Sequence, residues 1–503
     1  MDWWQHLLQG FVTAASPINL LWAFVGCALG TAIGVLPGLG PAVTVAMLLP
    51  ITSQVDATAS MIFFAGIYYG AMYGGSTTSI LLNTPGETGT MVTAMEGFKM
   101  ARHGRAGAAL ATSAIGSFVA GTLATVLVTV FAPFVAEHAV KLGPPEYFLL
   151  MVLAFTTVSA VLGRSRLRGM TALFIGLAIG LVGLDQITGQ VRYTGGIPEF
   201  MDGIEVVLVA VGLFAVAECL YGALYEGRDV QQLNRMNRVH MTRAEWRRSW
   251  PAWLRGTAIG FPFGTIPAGG AEIPTFLSYA AERKLSKHPE EFGTTGAIEG
   301  VAGPEAANNA AVTATLVPLL TLGIPTSVTA AILLSALQNY GIQAGPQLFD
   351  TSATLVWALI ASLYIGNVML LVLNLPLVGL WVKLLKVPKP QLYAGILIFA
   401  TVGVYGMRQS AFDLYLMLGV GVLGVLMRRF DFPLAPVIVG MILGPLAEAQ
   451  MRNGLSIGEG RWTVFIERPA SATLLALIVL LISWPLFRPV IGRLDRSLFW
   501  RRS

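Results

Sequence analysis

Three acidic side chains and a pair of asparagines stand in stretches that are otherwise apolar or glycine-rich: Glu87, Glu272, Glu305, Asn308 and Asn309. A carboxylate inside a hydrophobic layer is costly and implies a task. It can hold a cation such as Na⁺, carry a proton, or latch a loop by hydrogen bonds; just outside such a layer it would mean little. Glu299 has a weaker claim. Asparagine offers an amide oxygen to a hard cation and two N–H donors to a carboxylate. Ser76, Thr77 and Thr78 add hydroxyls just before Asn83-Thr84-Pro85-Gly86-Glu87, and Pro325-Thr326-Ser327 supplies a similar group further on. Ser and Thr can instead bond back to helical carbonyls. The adjacent asparagines have no such outlet, so they are the stronger candidates. A Na⁺ ion would be sought at Asn83, Asn308 and Glu305.

These groups need breaks in the helices around them. Pro37, Gly38 and Gly40 interrupt one apolar run, and Pro267, Gly269 and Gly270 interrupt another. Broken helices expose N-termini that attract carboxylates and carbonyls that coordinate Na⁺. The two regions also resemble each other. Gly30-Thr31-Ala32-Ile33-Gly34 recurs as Gly256-Thr257-Ala258-Ile259-Gly260, and Gly34–Gly40 is similar to Gly264–Gly270. Gly70-Ala-Met-Tyr-Gly74 pairs with Gly296-Ala-Ile-Glu-Gly300, and Asn83-Thr-Pro85-Gly86 with Gly323-Ile-Pro325-Thr326. Paired interrupted segments in two halves point to a transporter's binding site. The competing reading is chance similarity among small residues that merely kink or pack helices.

Composition sets the frame for both. The chain has 503 residues, 55% hydrophobic and 12% charged, about half the charge of a soluble domain. Mean hydropathy is +0.68. An all-α polytopic membrane protein follows, with about ten to twelve spanning helices and two inverted repeats carrying broken or re-entrant hairpins. The expected division is an interfacial helix over 1–17 and a first half over 18–225, with its motifs in 30–90. A basic cytoplasmic loop over 226–255 then leads to a second half over 256–487, with motifs in 256–327, and a basic tail over 488–503. Lys and Arg cluster in alternate loops, which places the C-terminus in the cytoplasm; the first of them is Lys99, which favours an outside N-terminus. The net charge of +5 belongs to these loops rather than to a nucleic-acid surface. Cys27 and Cys219 lie in hydrophobic segments, not in a disulfide framework. No basic leader with a cleavage site opens the chain.

Enzyme signatures are missing: there is no Walker loop, no HExxH, no zinc spacing among five scattered histidines and no G-x-S-x-G elbow. The sequence is therefore read as a non-enzyme without a cofactor. The motifs Gly34-Val-Leu-Pro-Gly-Leu-Gly-Pro41, Tyr69-Gly-Ala-Met-Tyr-Gly-Gly-Ser-Thr-Thr-Ser79, Leu82-Asn-Thr-Pro-Gly-Glu87, Gly300-Val-Ala-Gly-Pro-Glu-Ala-Ala-Asn-Asn309 and Leu322-Gly-Ile-Pro325 resemble the large membrane subunit of the tripartite tricarboxylate transporters, the TctA family. The resemblance implies uptake of di- or tricarboxylates, organic acids, driven by a cation gradient, commonly Na⁺ and otherwise H⁺. It implies a periplasmic solute-binding protein and a small four-helix membrane subunit as partners, in a bacterial inner membrane. Fold-level analogy suggests elevator-like alternating access. An ion or solute channel and a non-transporting structural subunit are the rival readings. Self-association into a homo-oligomer is left open.

Overall fold

The computed structural model describes residues 3–36, 40–52, 54–161, 165–185, 187–225, 238–266, 271–385 and 387–483. The chain is almost wholly helical, and the only strands among the described residues are Gly183–Leu184 and Val191–Arg192, paired antiparallel. The first half runs α1 Trp3–Ala14, α2 Pro17–Gly34, α3 Pro41–Thr52, α4 Ala57–Leu82, α5 Met91–Arg102 and α6 Ala106–Ala139. It continues with α7 Pro144–Val161 and α8 Arg166–Gly180; α9 Val206–Ala210 and α10 Ala217–Tyr225 then flank a π-helical turn at Val211–Val216.

The second half opens with α11 Arg243–Gly264, α12 Glu272–Leu285, α13 Glu299–Ala314, α14 Leu316–Leu322 and α15 Val328–Asn339. After α16 Leu348–Thr351 come α17 Ala353–Asn374, α18 Val378–Leu384, α19 Lys389–Arg408, α20 Ala411–Arg429, α21 Ala435–Ile457 and α22 Val464–Glu467. Among the described residues, six helices or stretches of them are long and apolar enough to cross a membrane: Pro17–Gly34, Ala106–Ala139, Val206–Tyr225, Ala353–Asn374, Pro390–Arg408 and Ala411–Arg429. Four shorter apolar helices accompany them. The all-α polytopic expectation holds, and prolines and glycines cut several other apolar runs short of that length. α4 is long enough but dilutes its apolar side chains with Gly, Ser and Thr.

That dilution has a packing reason. Every residue of α4 from Ala59 to Leu81 is buried, and so is every residue of α13. Neither helix needs an oily face toward lipid; both need small residues. Gly26, Gly30 and Gly34 of α2 lie so close to α4 that a Cβ on any of them would strike the carbonyl of Phe63, Ile67 or Ala71 respectively. Gly256, Gly260 and Gly264 of α11 meet the carbonyls of Gly303, Ala307 and Ala311 of α13 in the same way. Both are small-residue crossings spaced one turn apart. α6 packs along α13, α11 and α17, while α3, α15, α19, α20 and α21 form a second group.

Candidate functional site

The two crossings end in matching turns. Asn83 (φ 56°) closes α4 and Gly323 (φ 67°) closes α14, both in the left-handed conformation that glycine adopts freely and asparagine tolerates. A proline follows each cap by two residues and prevents the helix from resuming. The next residue in each turn folds back onto the first helix of its own pair. Gly86 packs on the Gly34 carbonyl, and the Thr326 hydroxyl donates to the Gly264 carbonyl at 3.1 Å. Gly34 therefore corresponds to Gly264 and Gly30 to Gly260. The sequence matches of Gly30 with Gly256 and of Gly70–Gly74 with Gly296–Gly300 are out of register; Gly70 corresponds to Ala310. The matches of Gly34 with Gly264 and of Asn83 with Gly323 are in register.

Each turn completes itself on the other half. Tyr68 Oη of α4 lies 3.0 Å from Ser327 Oγ, and Asn308 Nδ2 of α13 donates to Glu87 Oε1 at 3.4 Å. Tyr68 and Asn308 stand equally far before their caps, and Glu87 and Ser327 equally far after them. The contact is thus reciprocal, as across a two-fold axis. Ser327 also caps α15 by accepting from the Ala330 N–H at 3.2 Å. Asn308 Oδ1 is buried with no hydrogen-bond partner.

Glu305, one turn before Asn308 and fully buried, gathers donors from three helices. Ser76 Oγ donates to its Oε2 at 2.6 Å and Ser113 Oγ at 3.3 Å, and Thr93 Oγ1 donates to Oε1. Asn309 Nδ2 donates to Ser117 Oγ at 2.7 Å and to the Glu305 carbonyl at 3.0 Å. Thr77 is buried, and Thr78 donates to the Val35 carbonyl at 2.5 Å, tying α4 to the end of α2. Asn83 is exposed and Thr84 half-buried, so their backbone turn is what this geometry uses. Pro325 and Thr326 are buried in the second turn. Glu272 opens α12, which packs against the 88–90 turn that follows Glu87. Gly40 precedes α3 with open space where a Cβ would stand. Pro37, Gly38, Pro267, Gly269 and Gly270 lie outside the described residues.

Basic side chains are kept elsewhere. Arg255 is bidentate on the fully buried Glu282 (2.8 and 2.5 Å), and Arg248 bridges Glu291 and Glu299 (2.7 and 2.6 Å). Glu299 is therefore spent on an ion pair. Glu282 lies inside α12. Among the described residues, no three His, Cys, Asp or Glu side chains converge as a metal site. The partners of Glu87 and Glu305 are an amide and hydroxyls, a donor set suited to a proton, a hard monovalent cation or an anion bound with one.

Two clasping residues are among those that escaped the sequence reading. Glu96 of α5 is buried and accepts from the Tyr279 hydroxyl (2.7 Å) and from the N–H groups of Gly293 (2.9 Å) and Ala297 (3.1 Å). It clasps the connection between α12 and α13. Tyr340, at the end of α15, donates to the Thr52 carbonyl at 2.6 Å and lies 2.8 Å from Ser60 Oγ. It clasps the connection between α3 and α4.

The fold and site define a polytopic all-α membrane protein whose two broken-helix turns meet in one polar centre. The tripartite tricarboxylate transporter TctA family matches residues 20–439, and the chain belongs to that family. It is 46% identical over 477 residues to an uncharacterized 52.8 kDa protein in the TAR-I ttuC' 3' region of Agrobacterium vitis, covering 95% of each chain. It is 45% identical over 218 residues to an uncharacterized protein in the TAR-II ttuC' 3' region of that organism, covering 43% of this chain and 90% of that one. No solved structure matches the chain.

Proposed function

We propose that the chain is the permease subunit of a binding-protein-dependent secondary transporter that takes up di- or tricarboxylates with a cation gradient, Na⁺ ahead of H⁺. The observation that carries this reading is the reciprocal pair of contacts, Tyr68–Ser327 and Asn308–Glu87. Two halves that close on each other's turns can exchange their packing, and in an inverted repeat that exchange moves the site from one face of the membrane to the other. Substrate carboxylates would meet Asn308, Ser327 and the freed N–H groups opening α3, α12 and α15, with cations offsetting the charge. Glu87, Glu272 and Glu305 would serve coupling. A periplasmic binding protein would deliver substrate from the side opposite Arg105, Arg248 and Arg255, and a small four-helix subunit would complete the assembly in the inner membrane. Basic residues in the 226–255 loop and the tail support a cytoplasmic side for those segments.

The test is uptake of labelled di- and tricarboxylates into proteoliposomes holding this chain and its small subunit, with and without binding protein, under a Na⁺ or H⁺ gradient. Gradient-driven accumulation of one acid that requires the binding protein is expected. Downhill leak regardless of gradient would make the protein a channel and overturn the reading.

A further inference from the structure

One face of α6 carries Ser113, Ser117, Gly121, Thr125 and Thr129, each one turn beyond the last. All are buried. At 1.5 Å per residue this stripe is about 24 Å long, most of the thickness of a hydrocarbon layer. Its start and end are visibly connected. Ser113 donates to Glu305, and Ser117 accepts from Asn309. At the far end Thr129 Oγ1 lies 2.9 Å from the hydroxyl of Tyr364, a half-buried residue whose ring packs tilted against Phe11 of α1.

The middle is polar and only partly satisfied: the Thr125 hydroxyl donates to the Gly121 carbonyl at 2.7 Å, but polar atoms across the interface are left open. Asn367 of α17 is buried against Gly121 with neither its amide oxygen nor its nitrogen hydrogen-bonded. Tyr69 and Tyr73, one turn apart on α4, are buried with unpartnered hydroxyls; Tyr69 lies beside Thr125, and Tyr73 faces Glu305. Four hydrogen-bonding atoms left open in one interface is what ordered water satisfies. A lipid-facing or purely structural stripe would not need them. A Cβ at Gly121 would come within 2.7 Å of the Asn367 amide oxygen, so the glycine is what lets Asn367 sit against α6.

We propose that this seam is a water-bridged proton path joining Glu305 to the membrane face that holds α1. The step is a simple transfer. The protonated Glu305 carboxyl gives its proton to a water in the seam, which passes one on past Asn367 and Tyr69 toward Tyr364. The carboxylate left behind is held by the Ser76, Thr93 and Ser113 hydroxyls. The titratable groups facing Glu305 are Tyr73 of α4 and Glu87 before α5. α6 presents it only hydroxyls, and α11 and α12 turn Arg255 and Glu282 onto each other. The path rests on the coupling role proposed for Glu305, yet proton exchange can be read without any transport.

The test is infrared spectroscopy of the purified full-length protein in detergent. Glu305→Gln identifies the protonated carboxyl band, and transfer to D₂O gives its exchange rate. The double variant Thr125→Val with Asn367→Leu should slow that exchange by roughly tenfold or more, in line with the loss of a positioned proton relay, without moving the band. Tyr364→Phe, which removes one oxygen at the half-buried end, should slow it several-fold and serves as the variant least prone to misfolding. Unchanged exchange in Tyr364→Phe and in the double variant overturns the path. So does a spectrum in which Glu305→Gln removes no protonated carboxyl band at any pH. If exchange slows as expected but proteoliposomes show no gradient-driven uptake, the path stands and the transporter reading falls.

Discussion

The two crossings use the same glycine spacing on their first helices but answer it differently on their second. α4 meets α2 with Gly66, Gly70 and Gly74, so neither helix has room for a Cβ at the seam. The corresponding positions of α13 are Ala306, Ala310 and Ala314, so the α11–α13 pair accommodates a methyl from one side. The clasps differ as well. Glu96 holds the α12–α13 connection with a carboxylate that accepts three bonds, whereas Tyr340 holds the α3–α4 connection with one neutral hydroxyl. α5 stays packed along α4, while α15 leaves α14 for α3 and α21. The glycine-tight pair thus has its connection held by a single tyrosine, and the looser alanine pair has its connection held by a carboxylate.

The largest test of this asymmetry compares the clasps. Glu96→Ala removes the partner of one buried donor, the Ala297 N–H, and of two more accessible ones, and should cost about 2–3 kcal/mol, whereas Tyr340→Phe should cost about 1 kcal/mol. Thermal unfolding in detergent would show it, and equal losses would break the comparison. Next come the seams. Gly70→Ala places a Cβ 2.6 Å from the Cys27 carbonyl oxygen and should destabilise by about 1–3 kcal/mol. Ala310→Gly at the corresponding place should cost about 1 kcal/mol at most; denaturant midpoints would rank the two. Smaller again is the reciprocal pair. Asn308→Ala should lower substrate uptake about tenfold, near the worth of one hydrogen bond, and Tyr68→Phe somewhat less. If both leave initial rates intact, the contacts are structural only.

The smallest effect serves as a control outside both clasps. The Ile187 N–H, the Thr188 hydroxyl, Arg452 and Arg192 hold the Asp185 carboxyl well below its usual range. A group whose folded pKa is depressed stabilises the fold above its unfolded value, near 3.9, and loses that contribution as pH falls toward the folded one. Asp185→Asn should therefore lower the melting temperature slightly at neutral pH and converge with the parent in strong acid. Equal melting temperatures at neutral pH would remove Asp185 as an anchor.

Much of the architecture was legible because prolines and glycines advertise breaks. The turns at Asn83 and Gly323 were found in register for that reason. The glycines of α2 and α11 were not, and the cause is periodicity. A residue repeated every four positions matches itself equally well after a four-residue slip, so Gly30 aligns with Gly256 or Gly260. Only the fold-back of Gly86 and Thr326 chooses between them. Glu305 and Asn308 stood out because their neighbours are apolar. Glu96 did not, since Lys99 and Arg102 follow it and the segment looks like an ordinary basic loop. Ser113 and Ser117 were invisible for another reason: in a spanning helix a hydroxyl has a ready local acceptor, and only the partner across the interface distinguishes use from idleness.

The reciprocal closure also bears on how the chain is made. Glu87 leaves the ribosome about 240 residues before Ser327, a delay of roughly 10–50 s at ordinary synthesis rates. Throughout that interval Glu87 lacks Asn308, Tyr68 lacks Ser327, and Ser76 and Thr93 have no Glu305 to bond. The first half must wait in the bilayer with its polar turn unanswered. Co-expressing residues 1–225 and 238–503 as separate chains should restore the complex, while either piece alone should be cleared by membrane proteases.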